Sequence, residues 1–194
     1  MARRSRDASD VIDSFVPLAR IYKQDFINRH MILEFNGMEL DIHWKKKHFM
    51  HLCGLECTVP QRMYRSGKVS KPEAFFDALL SGKATEFLPV HAHNSGITDD
   101  KLNAMKLMLD SPDSIDMVTE SASNDYDYFF GSDLWCAGVK AVPEDEPIDP
   151  DADVHAPRTL RKVSIMSRSI RIDGKPAYPL DGCRIVPPRA TRVG

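Results

Sequence analysis

The sequence predicts an α+β fold in a single domain, with helices and a hairpin first and an antiparallel sheet in the C-terminal half. The chain has 194 residues, a length near that of one domain and sufficient to bury a core. Apolar residues make up 42% of it, which argues against wholesale disorder. Helical apolar spacing dominates the first half, whereas short strand-like runs dominate the second, and this order is typical of α+β proteins.

Three stretches have the spacing and the end signals of helices. The first covers residues 10–28 and follows a polar segment, residues 1–9, which we expect to be disordered. The second spans Ser70–Leu80, where Ser70 and Glu73 have the spacing of a capping box. The third covers about residues 98–109. The last two are the middle helices of the predicted fold.

A β-hairpin is predicted between the first two helices. Residues 31–35 and 38–44 flank Asn36-Gly37, the pair that best accepts the positive φ angles of a type I′ turn. A two-residue turn fixes the register and places one apolar set on the core face: Met38, Leu40, Ile42 and Trp44. The opposite face pairs Glu34 with Glu39, Ile32 with Asp41 and His30 with His43. We expect that face to contact solvent, with the floor of a cleft as the alternative.

The C-terminal half is predicted to be rich in short strands. These cover residues 116–120, 126–130, 134–142 and 160–172, so that one domain would span residues 10–172. A loop at residues 144–157 interrupts them, and its first ten residues carry six acids and no base. The rest of the chain is therefore mildly basic, which is compatible with a nucleic-acid partner. Residues 173–194 are expected to form a Pro-rich tail that lies on the surface or frays.

Several classes of protein are excluded by what the sequence lacks. No run approaches the roughly 18 apolar residues of a membrane-spanning helix, and the basic N-terminus is not followed by the apolar region of an export signal. We therefore expect the four cysteines to be reduced thiols in the cytoplasm. The sequence also has no Gly-rich phosphate loop, GxSxG or HExxH, the usual signatures of nucleoside triphosphatases, acyl hydrolases and zincins.

Two short His/Cys clusters raise the alternative of a zinc site. In the first cluster, His48, His51, Cys53 and Cys57, the two cysteines meet half of a structural zinc pattern, but no matching second pair follows. His91-x-His93 lies in a polar connector, where an exposed loop is the simpler interpretation. We therefore expect no metal and no other cofactor, and we interpret Cys53 and Cys57 as packed thiols rather than nucleophiles.

The segment from Lys45 to Leu55 is the strongest candidate for chemistry. Three lysines precede His48 and His51, and further cations and a phenol follow at Arg62, Tyr64, Arg65 and Lys68. Cleavage of a phosphodiester without metal requires a proton acceptor, a proton donor and cations beside the phosphate. The segment has these residue types, although a lone histidine such as His51 is more often a structural residue.

The sequence Phe49-Met50-His51-Leu52-Cys53-Gly54-Leu55 resembles the F-x-H-L-x-G-L signature of one family. That family is a phage- and mobile-element-borne branch of the barnase/EndoU/colicin/RelE-like nuclease superfamily. Residues 126–131, 134–139 and 157–160 resemble the C-terminal half of the same branch, and the similarity spans roughly residues 15–165.

This resemblance implies a metal-independent endoribonuclease of a bacterial host cell, a phage or mobile-element effector or toxin. By it, His51 would be the general base or acid, Arg158 would stabilise the phosphate, and Thr159 would bind or orient it. A strand that starts after a loop is the alternative interpretation of residues 157–159. We expect the remaining cations and polar groups to bind the RNA: Lys47, His48, Tyr64 and Lys68.

Two other functions stay open. The first is a non-catalytic RNA- or protein-binding accessory protein with the same fold, and the second is a structural phage component. A toxin would also have a neutralising protein partner. An open cleft that retains the candidate residues favours the nuclease, whereas a filled cleft favours the accessory protein.

Overall fold

The computed structural model of the protein describes residues 8–57, 69–84, 90–92, 97–110, 114–142, 155–170 and 175–187. Their helices are α1 (Ala8–Asp25), α2 (Lys46–Leu52), α3 (Lys71–Leu80) and α4 (Ile97–Asp110). Their strands are β1 (His30–Phe35), β2 (Met38–His43), β3 (Leu55–Cys57), β4 (Val90–Ala92), β5 (Met117–Glu120), β6 (Tyr128–Gly131), β7 (Cys136–Ala141), β8 (His155–Arg161), β9 (Ala177–Pro179) and β10 (Gly182–Val186). The predicted α+β class is confirmed.

The main sheet has eight strands in the order β10-β1-β2-β8-β7-β6-β5-β9, and β3 and β4 form a separate antiparallel pair. The sheet is mixed, because β2 and β8 are parallel while the other neighbours are antiparallel. The prediction of a purely antiparallel sheet is therefore wrong at this junction. A parallel pair needs a long crossover, and the described part of this crossover includes the helices α2–α4 and the strands β3–β7.

The hairpin has the predicted turn and register. Asn36 and Gly37 have φ angles of 47° and 71°, and Leu33 lies opposite Leu40. Three of the four residues predicted on the core face are buried, but Met38 is 42% exposed because it directly follows the turn.

The opposite face of the hairpin is less exposed than predicted. His30 and His43 are buried, with their rings stacked at a centroid distance of 4.6 Å, and Nδ1 of His30 lies 2.8 Å from Asp41. The opposed Glu34 and Glu39 both pair with Arg184 of β10, which offsets the repulsion between two carboxylates. The expectation of a solvated face is therefore wrong for the histidines.

The C-terminal segments differ most from the sequence predictions. One or two strands were expected at residues 160–172, but β8 spans residues 155–161, residues 162–170 form turns and bends, and residues 171–172 lie outside the described residues. The segment expected to be a tail contains β9 and β10, which lie at the two edges of the sheet. Of the predicted acidic loop, residues 155–157 belong to β8, and residues 144–154 lie outside the described part of the chain.

The helices cover one face of the sheet and bury an aromatic core between them. The ring of Tyr22, in α1, contacts four rings, which lie just after α1, just after β2, in α2 and in α3: Phe26, Trp44, Phe49 and Phe76. Ser70 caps α3 as predicted, since its backbone N–H and its hydroxyl both donate to Glu73. None of the described helices is long and apolar enough to cross a membrane. This packing holds α2 against β8, where the candidate residues lie.

Candidate active site

A β-bulge in β8 determines where the candidate residues point. Thr159 pairs with Gly138 and Pro157 pairs with Val139, so Arg158 is the extra residue of the bulge. A bulge re-aims the side chains on either side of it. Thr159 is accordingly buried to 7% exposure, whereas Arg158 is exposed. The two neighbours therefore line different concavities.

Thr159 and His51 line one open cavity of about 620 Å³. That volume is typical of a site for a small molecule or one nucleotide-sized group. His51 reaches it from the last turn of α2, and its side chain is exposed. The remaining walls come from β3, α4, Tyr126 and the end of β8, and they include Glu56, Asp100, Lys101, Arg161 and Lys162.

Three cations that sequence analysis missed line this cavity: Lys101, Arg161 and Lys162. Nζ of Lys101, on α4, donates to the Thr159 hydroxyl at 3.4 Å. Burial lowers the pKa of Lys101 from its usual value, and the nearby Arg161 guanidinium lowers it further. Arg161 itself lies over the rings of Tyr126 and Phe129, 5.6 Å from each centroid. The cavity therefore combines an exposed imidazole, a hydroxyl and two positioned cations.

Gly138 allows the floor of the cavity to pack closely. A Cβ atom at this position would lie 2.9 Å from Cγ2 of Thr159, 2.9 Å from Cδ1 of Tyr126 and 2.8 Å from Phe129. Real Cβ atoms do not approach other heavy atoms so closely, so a larger residue here would displace these side chains. The absence of a side chain at Gly138 is what lets Thr159 and Tyr126 share one wall.

Arg158 lines a second concavity, a small recess of about 20 Å³ near the start of α2. Lys45, Lys47 and His48 line it with Arg158. Burial lowers the pKa of His48 to about 3, and the positive charges of Lys47, Arg158 and Lys45 contribute. Its Nδ1 accepts the backbone N–H of Lys45 at 3.2 Å. His48 is therefore a neutral structural imidazole near pH 7 and a poor proton acceptor.

The described residues of the candidate zinc cluster do not lie together. His48 faces the recess, His51 faces the cavity, and Cys53 is fully buried in the core. Burial raises the pKa of the Cys53 thiol well above its usual value, so this cysteine is a packed thiol, as predicted. No group of three or more potential metal ligands lies together in the described part of the chain.

The predicted site residues are thus divided between two neighbouring concavities. His51 and Thr159 share the cavity, whereas Arg158, Lys47 and His48 share the recess. Tyr64 and Lys68 lie outside the described residues. The chain positions of Lys101 and Arg161, far from the basic segment, gave no sequence signal that they would join His51. Arg161 follows Thr159 by two positions, and only the alternation of a strand would have placed it on the same side.

The family model described as phage-Barnase-EndoU-ColicinE5/D-RelE like nuclease4 matches residues 17–135. The matched segment includes His51 and Lys101 and ends before β8, so it contains neither Arg158 nor Thr159. No curated protein and no solved structure matches the chain significantly. Because the match covers more than half of the chain, the protein belongs to this family of phage nucleases of the barnase, EndoU, colicin and RelE type.

Proposed function

We propose that the protein is a metal-independent endoribonuclease that cleaves RNA by attack of the 2′-hydroxyl on the adjacent phosphate. One observation carries this proposal. A single open cavity holds an exposed histidine, a buried hydroxyl and three cations, of which Lys101 and Arg161 have contacts that position them. These are the groups that such a reaction needs, and the family membership supports a nucleic-acid substrate.

The reaction assigns a role to each group. A base removes the proton of the 2′-hydroxyl, O2′ forms a bond to phosphorus, and the bond from phosphorus to O5′ breaks. The leaving O5′ takes a proton from an acid, and the products are a 2′,3′-cyclic phosphate and a 5′-hydroxyl. His51 performs one of the two proton transfers, and the cavity carboxylates of Glu56 and Asp100 are the candidates for the other.

The cations act on the charge that develops on the phosphate oxygens. Lys101 and Arg161 lie where they reach a phosphate beside Thr159, whose hydroxyl is a hydrogen-bond donor to the same group. Arg161 is held in place by the rings beneath it, and Lys101 by its hydrogen bond to Thr159. Positioned charges of this kind stabilise a transition state without reorganising during the reaction.

The open cavity also favours the nuclease over the non-catalytic accessory protein. A protein that only binds RNA or another protein does not need an exposed histidine beside a space of about 620 Å³. Bulky side chains would be free to fill it. The unfilled cavity therefore favours catalysis.

The test is incubation of the purified protein with a single-stranded RNA oligonucleotide, with and without a chelator. Cleavage that survives chelation and leaves 2′,3′-cyclic phosphate ends is expected. The matched control is the same oligonucleotide with 2′-deoxyribose at the cleaved position, which lacks the attacking group and should stay intact. Loss of cleavage in chelator with recovery on added magnesium or zinc, or cleavage of the deoxy control, would refute the mechanism.

A further inference from the structure

Three cations surround the recess beside the cavity. Lys45, Lys47 and Arg158 line it, and none of its described lining residues is acidic. All three act on the same imidazole, because the low pKa of His48 is due first to burial and then in part to their charges. Lys46, between the two lysines, does not line the recess, and its Nζ lies 2.8 Å from the carboxylate of Asp77 in α3. The recess is therefore a local concentration of positive charge.

Strand β8 and helix α2 each place this recess next to the cavity. Arg158 and Thr159 are consecutive, so their Cα atoms lie about 3.8 Å apart while the bulge directs their side chains into different concavities. His48 and His51 are three residues apart on α2, or about 4.5 Å along its axis. Both α2 and β8 therefore line the two concavities, so a strand bound in the cavity has the recess as its neighbour on the protein.

The size and charge of the recess indicate what it binds. At about 20 Å³ it is too small to enclose a base or a sugar, so a ligand group would sit at its mouth between the cations. Lysine ammonium groups and an arginine fork are the usual protein ligands of phosphate. A single nucleic-acid strand carries one such phosphate for every nucleotide.

We propose that Lys45, Lys47 and Arg158 form a second phosphate subsite, which binds the phosphate next to the reacting one in a single-stranded RNA. This assignment rests on the proposed function, since the cavity must hold the reacting phosphate. It gives Arg158 a binding role at the neighbouring phosphate, in place of the role at the reacting phosphate that the family resemblance implied.

The test measures binding of two probes that cannot be cleaved. They are a 2′-O-methyl dinucleotide with one phosphate and a 2′-O-methyl trinucleotide with two, both without terminal phosphates. The wild-type protein should bind the trinucleotide about 10- to 100-fold more tightly, because charge-assisted hydrogen bonds add at the second phosphate. Either of the two phosphates of the trinucleotide can occupy the cavity, with the other on its 5′ or its 3′ side, so the strand direction need not be known.

Substitution should remove this advantage. In Lys47→Gln and in Arg158→Gln the affinity ratio should fall toward one, and the salt dependence of trinucleotide binding should lose about 0.7 of a unit of slope per contact. Lys46→Gln is the matched control, because it removes the same charge from the same helix but outside the recess. Thermal unfolding of each variant checks that the fold is retained.

Two results would overturn the subsite: equal affinities of the wild-type protein for both probes, or a ratio that both recess variants keep. Because the probes report binding alone, the outcome is independent of turnover. A ratio that depends on Lys47 and Arg158 in a protein that cleaves no RNA supports the subsite and refutes the nuclease. A protein that cleaves RNA but binds both probes equally supports the nuclease and refutes the subsite.

Discussion

The cavity and the recess contain the same pair of residue types in different environments. Each has one histidine from α2 and one arginine from β8. In the cavity, His51 is exposed and Arg161 is packed on aromatic rings. In the recess, His48 is buried and neutral while Arg158 is exposed at the bulge. Residue type alone therefore does not assign a role, because an exposed histidine can exchange protons with a substrate and a buried one beside cations cannot.

Substitution of His51 and of His48 is the strongest test of this difference between the cavity and the recess. His51→Ala should lower kcat on a single-stranded RNA by about 10²- to 10⁴-fold, as the loss of a general acid or base usually does. His48→Asn, which keeps a hydrogen-bond acceptor for the N–H of Lys45, should lower it far less. Single-turnover cleavage rates measure both. Equal losses in the two variants would contradict the different roles assigned to them.

The two arginines should differ in the kinetic constant that they affect. Arg161→Gln removes a charge from the reacting phosphate, so kcat should fall about 10- to 100-fold. Arg158→Gln removes a contact to the neighbouring phosphate and should mainly raise KM. Arg158→Lys keeps the charge but loses the planar fork, so it should recover only part of the binding. A loss confined to kcat in the Arg158 variants would place this residue at the reacting phosphate after all.

Local sequence signals predicted the hairpin and the helices well. Asn36-Gly37 fixed the register of β1 and β2 because a two-residue turn leaves no freedom in pairing. Ser70 and Glu73 predicted the start of α3 because a capping box is satisfied within four residues. Both devices depend on neighbours in the chain, so they can be read without the rest of the fold.

Long-range pairing was not readable in the same way. The short strand β10 joins β1 through residues about 150 positions apart, and only this contact explains how Glu34 and Glu39 tolerate each other. The bulge at Arg158 is likewise a property of the β7–β8 pair, and the sequence around Pro157 alone does not predict it. Lys101 and Arg161 join the cavity through packing between distant parts of the chain. The sequence therefore predicted His51 and Thr159 as site residues but missed these two cations.

The close packing of the cavity floor predicts an effect of intermediate size on stability and cleavage when Gly138 is substituted. Gly138→Ala should destabilise the protein by about 1–3 kcal/mol, because the new methyl group overlaps Thr159, Tyr126 and Phe129. It should also reduce cleavage, since two of these residues line the cavity. Adding Thr159→Ser removes Cγ2, one of the clashing atoms, and keeps the hydroxyl. Denaturant unfolding should therefore show partial recovery in the double variant, and additive losses would contradict the proposed overlap.

The smallest expected effect concerns the dependence of stability on pH. The pKa of His48 is about 3 in the folded protein and near 6.5 in the unfolded chain, so between these values only the unfolded state binds the proton. The free energy of unfolding should therefore fall as the pH drops below about 6.5.

Replacing His48 by asparagine should remove its share of that fall. Between pH 7 and pH 5 this share is about 1–2 kcal/mol, so His48→Asn should show a correspondingly flatter loss of stability on acidification. Asp127 and Glu73, whose carboxyl pKa values are lowered, lose their contribution at lower pH, and His155, whose pKa is also lowered by burial, contributes in this window equally in both proteins. Urea unfolding at half-unit pH steps gives the comparison. Parallel curves for the two proteins would show that His48 is protonated in the folded state, and the recess would then hold four positive charges instead of three.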